Sequence, residues 1–160
     1  MNKFLLRDFE EACNNALTEF PELSDYITLQ KTWNTKVLEV LNSKINPESN
    51  IVSIGSFLGS VEIALAKSTH EIVCCDLESY LPKKLPNNVK FHEVNIDSNN
   101  LNLPERHFDI CLCIELLEHL RYSPIPMLDW IKNNCNLLVI STPDDDEWPS
   151  VENKPWTTKA

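Results

Sequence analysis

From Phe4 to Phe20 the apolar residues Phe4, Leu5, Phe9, Ala12, Cys13, Ala16, Leu17 and Phe20 recur at steps of three and four. That spacing predicts one face of a helix, which Pro21 ends. A second helical pattern runs through Ile27, Trp33, Val37, Leu38, Val40, Leu41 and Ile45, and INPESN supplies the turn after it. The pattern then changes. Apolar runs at Ile51–Ile54, Ile72–Cys75, Val89–Val94, Phe108–Ile114 and Leu137–Ile140 read as strands. All but one of the adjoining pairs are separated by helical periodicity or by enough chain for a helix. Strands that are apolar on both faces have to be buried between two helical layers. The expected class is therefore α/β: an open, mostly parallel sheet of five core strands with helices on both faces, preceded by N-terminal helices. On this reading the chain divides into a helical segment 1–48, a sheet core 49–143 and an acidic, tryptophan-containing tail 144–160. It carries no internal repeat and no low-complexity tract.

A length of 160 residues fits one compact domain. No apolar run approaches the ~20 residues of a membrane helix, so no membrane span is expected. Arg7, Asp8, Glu10 and Glu11 interrupt the region that a signal peptide keeps apolar, which points to the cytoplasm. Of the six cysteines, Cys74, Cys75, Cys111 and Cys113 lie inside strand runs and read as buried reduced thiols. Neither a C-x-x-C pair nor a His–Cys spacing suggests a metal, and none is expected. The net charge of -10 repels a phosphate backbone, which argues against nucleic acid as substrate or partner. The basic pair Lys83-Lys84 sits beside prolines and reads as a solvated turn.

The chain has only Gly 2, and both glycines stand in IVSIGSFLGSVEIALA, at Gly55 and Gly59, between the first strand run and a helical pattern. In parallel sheets the first strand-to-helix turn lies where ligands dock, and glycine lets the backbone turn tightly and come close to them. Plain strand–helix packing would explain the pair as well. A dinucleotide G-x-G-x-x-G would need glycine where Phe57 and Ser60 stand, and no Gly-Lys-Ser/Thr phosphate loop occurs. A nicotinamide-dependent oxidoreductase is thereby disfavoured. The pattern G-x-G-x-G matches at Gly55 and Gly59 and misses only at Phe57. Asp76 ends the second strand run, 21 positions after Gly55 (76 minus 55), where a carboxylate can accept the ribose hydroxyls of an adenosine ligand. A helix N-cap is the other reading of this aspartate.

Further along come Asp97, Leu103-Pro104, Phe108-Asp109, the run Ile110 to Ile114, Glu118-His119-Leu120, and finally LLVISTPD. In that order these motifs resemble the class I S-adenosylmethionine-dependent methyltransferases, in their small-molecule, type 11/type 23-like branch. The likeness covers about Ile51 to Asp144. It implies a Rossmann-like core, S-adenosylmethionine as cofactor and a small-molecule methyl acceptor. Carried over position by position, Gly55 and Gly59 lie along the methionine part of the cofactor, Asp76 holds the ribose and Leu77 packs on adenine. Asp97 accepts from the adenine amino group, and Ile114 and Glu115 meet the cofactor through backbone and side chain. The family usually has an acid where this chain has Ser53 and a small residue where it has Phe57. Ser53 is thus a cofactor-side position that carries no charge.

The resemblance implies an in-line displacement at an already activated methyl, for which alignment matters more than a nucleophile. If the acceptor is a hydroxyl, His119 is the candidate base. Were a helix to start at Glu115, Glu115 and His119 would share one of its faces. The acidic run Asp144–Glu147 reads as a solvated loop or as a preference for a cationic acceptor, and Trp148 and Trp156 as tail anchors or pocket walls. His70, His92 and His107 receive no role. The alternative function is a cofactor-binding module of a larger protein or complex with little or no turnover, favoured by Ser53 and Phe57. Family sheets ordinarily continue past the fifth strand, whereas STPDDDEWPSVENKPWTTKA offers no convincing strand. The expectation is either C-terminal truncation, the chain being the cofactor-binding part of a longer protein, or a fifth-strand edge covered by a homo-oligomer, a partner chain or the chain's own tail.

Overall fold

The computed structural model describes residues 3–98 and 101–142. Helix α1 (Lys3–Glu19) buries Leu5, Phe9, Ala12, Cys13 and Ala16, the stripe that the sequence pattern requires. Pro21 opens a 3-10 turn (Pro21–Leu23), and α2 (Ser24–Leu41) follows. The inner face of α2 consists of Ile27, Gln30, Asn34, Val37, Leu38 and Leu41. Val40, which the apolar pattern assigned to that face, is 53% exposed instead. Two amides occupy positions that periodicity alone reserves for hydrocarbon.

Five strands follow: β1 (Asn50–Ile54), β2 (Glu71–Asp76), β3 (Val89–Glu93), β4 (Phe108–Ile114) and β5 (Cys135–Ser141). All pairings are parallel and the order is β3-β2-β1-β4-β5. This is the Rossmann-like α/β sheet that the strand pattern leads to. Helix α3 (Ser60–Leu65) links β1 to β2, and α4 (Ile125–Asn134) links β4 to β5. The connections 77–88 and 94–107 have length for a helix, yet among the described residues they carry none. Prolines 82, 86 and 104 account for part of that, since each removes an N–H and disfavours helix in the residue before it.

Both faces of the sheet are covered. Ile51, Ile72, Cys74, Val89, Ile110 and Leu112 pack with α1, α2 and α3. Val52, Ile54, Val73, Cys75, Cys111 and Cys113 face Met127 and Ile131 of α4, together with Val94 and Leu103 from the connections. Burial on both faces is why these strands read as continuous apolar runs. The thiols of Cys13, Cys74, Cys75, Cys111 and Cys113 are buried and free. At the amino end of the sheet the Asp109 carboxylate accepts the Asn50 amide at 2.8 Å, so the Phe-Asp motif pins the start of β1 to β4. Glu71 pairs there with Lys90 and Arg106.

β1 and β4 are neighbours although β2 and β3 come between them in the chain, so the sheet grows in opposite directions from this pair. A crevice forms at such a reversal, above the carboxyl ends of the strands. On the far side β5 pairs only with β4 among the described residues, and Ile140 is 43% exposed. No helix among the described residues is long and apolar enough to cross a membrane. The Asp144–Glu147 run, Trp148 and Trp156 lie outside the described residues.

Candidate functional site

The carboxyl ends of β1, β2 and β4 open onto a cavity of about 280 Å3, roofed by α2. Its floor is the turn after β1. Gly55 has φ +76 and Gly59 has φ +65, a left-handed region in which side chains other than glycine are strained. A Cβ on Gly55 would also come within 2.7 Å of Leu116 Cδ1, so both conformation and space require glycine here. Phe57 stands in the same region at φ +44, at a cost of about 1–2 kcal/mol for an L-residue. Its amide donates to Asp76 Oδ2 at 2.8 Å, while Asp76 Oδ1 accepts from the Leu77 amide at 2.7 Å. The aspartate that closes β2 thus holds the glycine turn in its strained form. The Phe57 ring leans against Tyr26, edge on at 5.3 Å between centroids, and against Tyr80 at 5.0 Å.

Glu115, at the end of β4, is the other non-glycine residue with positive φ among the described residues, at +49. Its amide donates to the Ser141 carbonyl at 3.1 Å, and the Ser141 hydroxyl donates to Glu115 Oε1 at 2.7 Å. The serine that ends β5 therefore holds the turn after β4. Because Glu115 sits in a left-handed turn and only a 3-10 turn (Leu117–His119) follows, no α-helix starts there. Glu115 and His119 nevertheless both line the cavity.

Among the described residues the walls carry Asp76, Glu62, Glu115 and Glu118 and neither lysine nor arginine. Burial pushes the carboxyls of Glu62, Glu115 and Glu118 above their ordinary range, and hydrogen bonds from Ser53 and Ser141 offset part of this for Glu62 and Glu115. Desolvation lowers the His119 imidazole, opposed by the Glu115 charge. The net shift favours the neutral imidazole. Its Nε2 lies 4.0 Å from Glu118 Oε1.

Asn34 Oδ1, Ser56 Oγ, Ser60 Oγ and Glu115 Oε2 are buried with no hydrogen-bond partner among the described residues, and all of them belong to residues lining this cavity. The thiols beside the two serine hydroxyls, Cys74 and Cys13, are weak partners. Buried polar groups are normally paired, so a cluster of unpaired ones around a single cavity fits a polar ligand.

Of the positions named from the sequence, Gly55, Gly59, Asp76, Ile114, Glu115 and His119 come together around the cavity. Ser53 lies directly beneath, 1% exposed, with its hydroxyl 2.5 Å from Glu62 Oε1. Leu77 is 58% exposed and Asp97 accepts the Arg121 amide at 3.1 Å; neither lines the cavity. Asp97 ties the segment after β3 to the turn after β4. Sequence reasoning missed Tyr26, Gln30, Trp33 and Asn34 of α2, and Ser56, Ser60 and Glu62. A signal did exist for two of them: Gln30 and Asn34 interrupt the stripe Ile27, Val37, Leu38, Leu41 at helical spacing.

Comparison with solved structures finds the same fold in several proteins. A complex titled DhpI-SAM-HEP aligns with a TM-score of 0.62 at 13% identity, covering 92% of this chain and 70% of that one. Phosphoethanolamine N-methyltransferase 1 of Haemonchus contortus, crystallised with phosphoethanolamine and S-adenosylhomocysteine, aligns with a TM-score of 0.58 at 13% identity over 83% of this chain and 32% of that one. A Bacillus halodurans C-125 protein provisionally assigned as a methyltransferase gives a TM-score of 0.53 at 14% identity, with 71% and 53% covered. The chain spans about half of the length of that protein and a third of the nematode enzyme. Comparison with curated protein sequences gives no significant match. Residues 27–158, well over half of the sequence, match the family model described as a methyltransferase domain, type 23. By that match, on this sheet, the chain belongs to the type 23 family of class I methyltransferase domains.

Proposed function

We propose that this domain binds S-adenosylmethionine in the cavity above β1, β2 and β4 and directs its methyl group to a small-molecule acceptor. The observation that carries the reading is the cluster of unpaired polar atoms around a glycine turn that Asp76 holds open. Neighbours of the same fold are crystallised with SAM, SAH or S-adenosylhomocysteine, which supports the choice of ligand. What S-adenosylmethionine supplies when bound is an activated methyl open to in-line displacement. Alignment is then the main task of the protein, and can be worth about 7–11 kcal/mol in well-oriented systems.

Gly55 and Gly59 let the backbone meet the amino-acid arm without a Cβ between them. Asp76 uses one lone pair on each oxygen for the Phe57 and Leu77 amides, and the others are free to accept ribose hydroxyls. Ile114 and Glu115 border the opposite side, where Ser141 fixes the carboxylate. His119, with its side chain 44% exposed and its pKa lowered by desolvation, is able to take a proton from an acceptor hydroxyl. With carboxylates and, among the described residues, no lysine or arginine on its walls, the cavity favours neutral or cationic acceptors over phosphorylated or carboxylated ones. The aromatic rings of Tyr26 and Trp33 suit either kind.

The net charge of -10 supports the exclusion of nucleic acid. Buried free thiols suit a reducing compartment such as the cytoplasm. The β5 edge, unpaired among the described residues, is a site where a second copy or another chain could add a strand, and sedimentation velocity reads this directly. Calorimetric titration with S-adenosylmethionine, S-adenosylhomocysteine and NAD tests the main reading. Binding of the first two without the third is expected; binding of NAD alone, or of none, refutes it. Turnover with candidate amines and alcohols then separates an active transferase from a binding module.

A further inference from the structure

Ser53 and Glu62 form a buried pair that nothing else in the fold requires. Ser53 sits on β1, two residues before Gly55, and is 1% exposed; Glu62 sits in the first turn of α3 and is 3% exposed. Their oxygens lie 2.5 Å apart. Two hydroxyls would join strand to helix at less cost than a carboxyl, because a buried carboxyl is penalised for its charge unless a cation answers it. Among the described residues no lysine, arginine or histidine forms an ion pair with Glu62. Yet Glu62 lines the cavity, with Oε2 3.9 Å from where a Cβ on Gly59 would stand. Of its titratable neighbours the Asp76 carboxylate opposes a negative charge on it, and the Cys74 thiol is itself pushed up by Glu62, while the Ser53 hydroxyl and a first-turn backbone N–H favour the charge. A carboxyl so placed has no cation beside it among the described residues, and an ammonium carried into the cavity by a ligand would answer it.

We propose that Glu62 is the group that receives the α-ammonium of the amino-acid arm of the ligand, with Ser53 orienting its carboxyl from the strand below. This rests on the cofactor reading above and deepens it: the acid absent from the strand at Ser53 is supplied from the helix. Burial pushes the Glu62 carboxyl above its ordinary range, which favours the neutral form while no cation is near. Arrival of the ammonium favours the carboxylate, so the acid gives up its proton to solvent as the ion pair forms. Binding is therefore linked to proton release, and the selectivity is for ligands that carry an amine.

Two probes isolate the arm: S-adenosylhomocysteine, which carries the amino acid, and 5′-methylthioadenosine, which lacks it. Calorimetry at pH 6 to 8 in two buffers of different ionisation enthalpy gives affinity and protons released. For the unaltered protein, S-adenosylhomocysteine should release more protons than 5′-methylthioadenosine, a comparison that cancels contributions of Asp76, Glu115, Glu118, His119, Tyr26 and Cys74 common to both. Glu62→Gln should weaken S-adenosylhomocysteine by about 10–100-fold, as for loss of a charged hydrogen bond, and change 5′-methylthioadenosine by less than about threefold. It should also abolish the excess proton release. If the arm instead turned its carboxylate toward this site, Glu62→Gln would tighten binding, which overturns the proposal. Equal weakening of both probes makes Glu62 a packing residue of the turn and overturns it while leaving the cofactor reading intact. Failure of both probes to bind the unaltered protein refutes both readings together. Should Glu62→Gln not fold, the exchange Ser53→Asp with Glu62→Thr returns the carboxyl to the strand. Recovery of selective S-adenosylhomocysteine binding then supports the proposal, and its loss overturns it.

Discussion

Replacing Asp76 by alanine separates two tasks that the structure gives to one carboxylate. In the free protein it accepts the Phe57 and Leu77 amides at 2.8 and 2.7 Å. The Leu77 amide lies at an exposed residue and regains water when the acceptor is removed. The Phe57 amide belongs to a residue held at φ +44, and losing its partner releases the strained turn. One charge-assisted bond of this kind is worth about 1.5–3 kcal/mol, which for a chain of this size lowers the thermal midpoint by about 3–12 °C. If the carboxylate also accepts the ribose, affinity for S-adenosylhomocysteine should fall by a further factor of about 10–100 when measured well below the new midpoint. Asp76→Asn keeps one carbonyl acceptor for the turn but replaces the other by a donor, so it should fall between the parent and the alanine variant on both readouts. Differential scanning fluorimetry supplies the first number and calorimetry the second. An unchanged midpoint in Asp76→Ala would refute the claim that this carboxylate holds the turn. An unchanged affinity in a folded variant would refute ribose recognition without touching the first result.

Phe57→Gly relieves about 1–2 kcal/mol of left-handed strain but loses two aromatic contacts of about 0.5–1.5 kcal/mol each and gains backbone freedom in the unfolded chain. The losses outweigh the gain, so chemical denaturation should find the variant less stable, and greater stability would contradict the packing role of the ring. Leu112→Ala, at a fully buried site in the centre of the sheet, should cost about 2–5 kcal/mol in the same assay. The Glu71 carboxyl is held below its ordinary range, first by its hydrogen bond to Lys90 and then by Arg106. A depressed acid contributes stability that is present above its unfolded pKa and lost as pH falls through its folded one, so Glu71→Gln should flatten the acid side of the stability profile. If methyl transfer to an alcohol is found, its rate should fall as pH drops through the lowered pKa of His119, and His119→Gln should remove that limb and reduce kcat by about 100-fold or more.

By itself the sequence determined the class of fold, because burial on both faces leaves a continuous apolar run that can be read without coordinates. Ile51–Ile54, Ile72–Cys75 and Phe108–Ile114 are such runs, and they are the three strands whose ends build the cavity. It also determined where the first turn must bend, since a chain with two glycines spends both at positive φ. Tertiary structure alone decided which polar residues face the cavity. Helical periodicity treats Gln30 and Asn34 as lapses in an apolar stripe, because a one-dimensional pattern cannot tell a buried amide facing a ligand from a misplaced surface residue. It assigned a missing acid to Ser53, nine positions before Glu62 in the chain, although the two side chains share a hydrogen bond at 2.5 Å. The Asp97 carboxylate accepts the Arg121 amide from the turn after β4, a cross-element contact that no spacing in the sequence announces. Backbone hydrogen bonding and strand burial are set by local repetition and so leave a periodic trace. Pairing of side chains across elements is set by the register and the twist of the sheet, and leaves none.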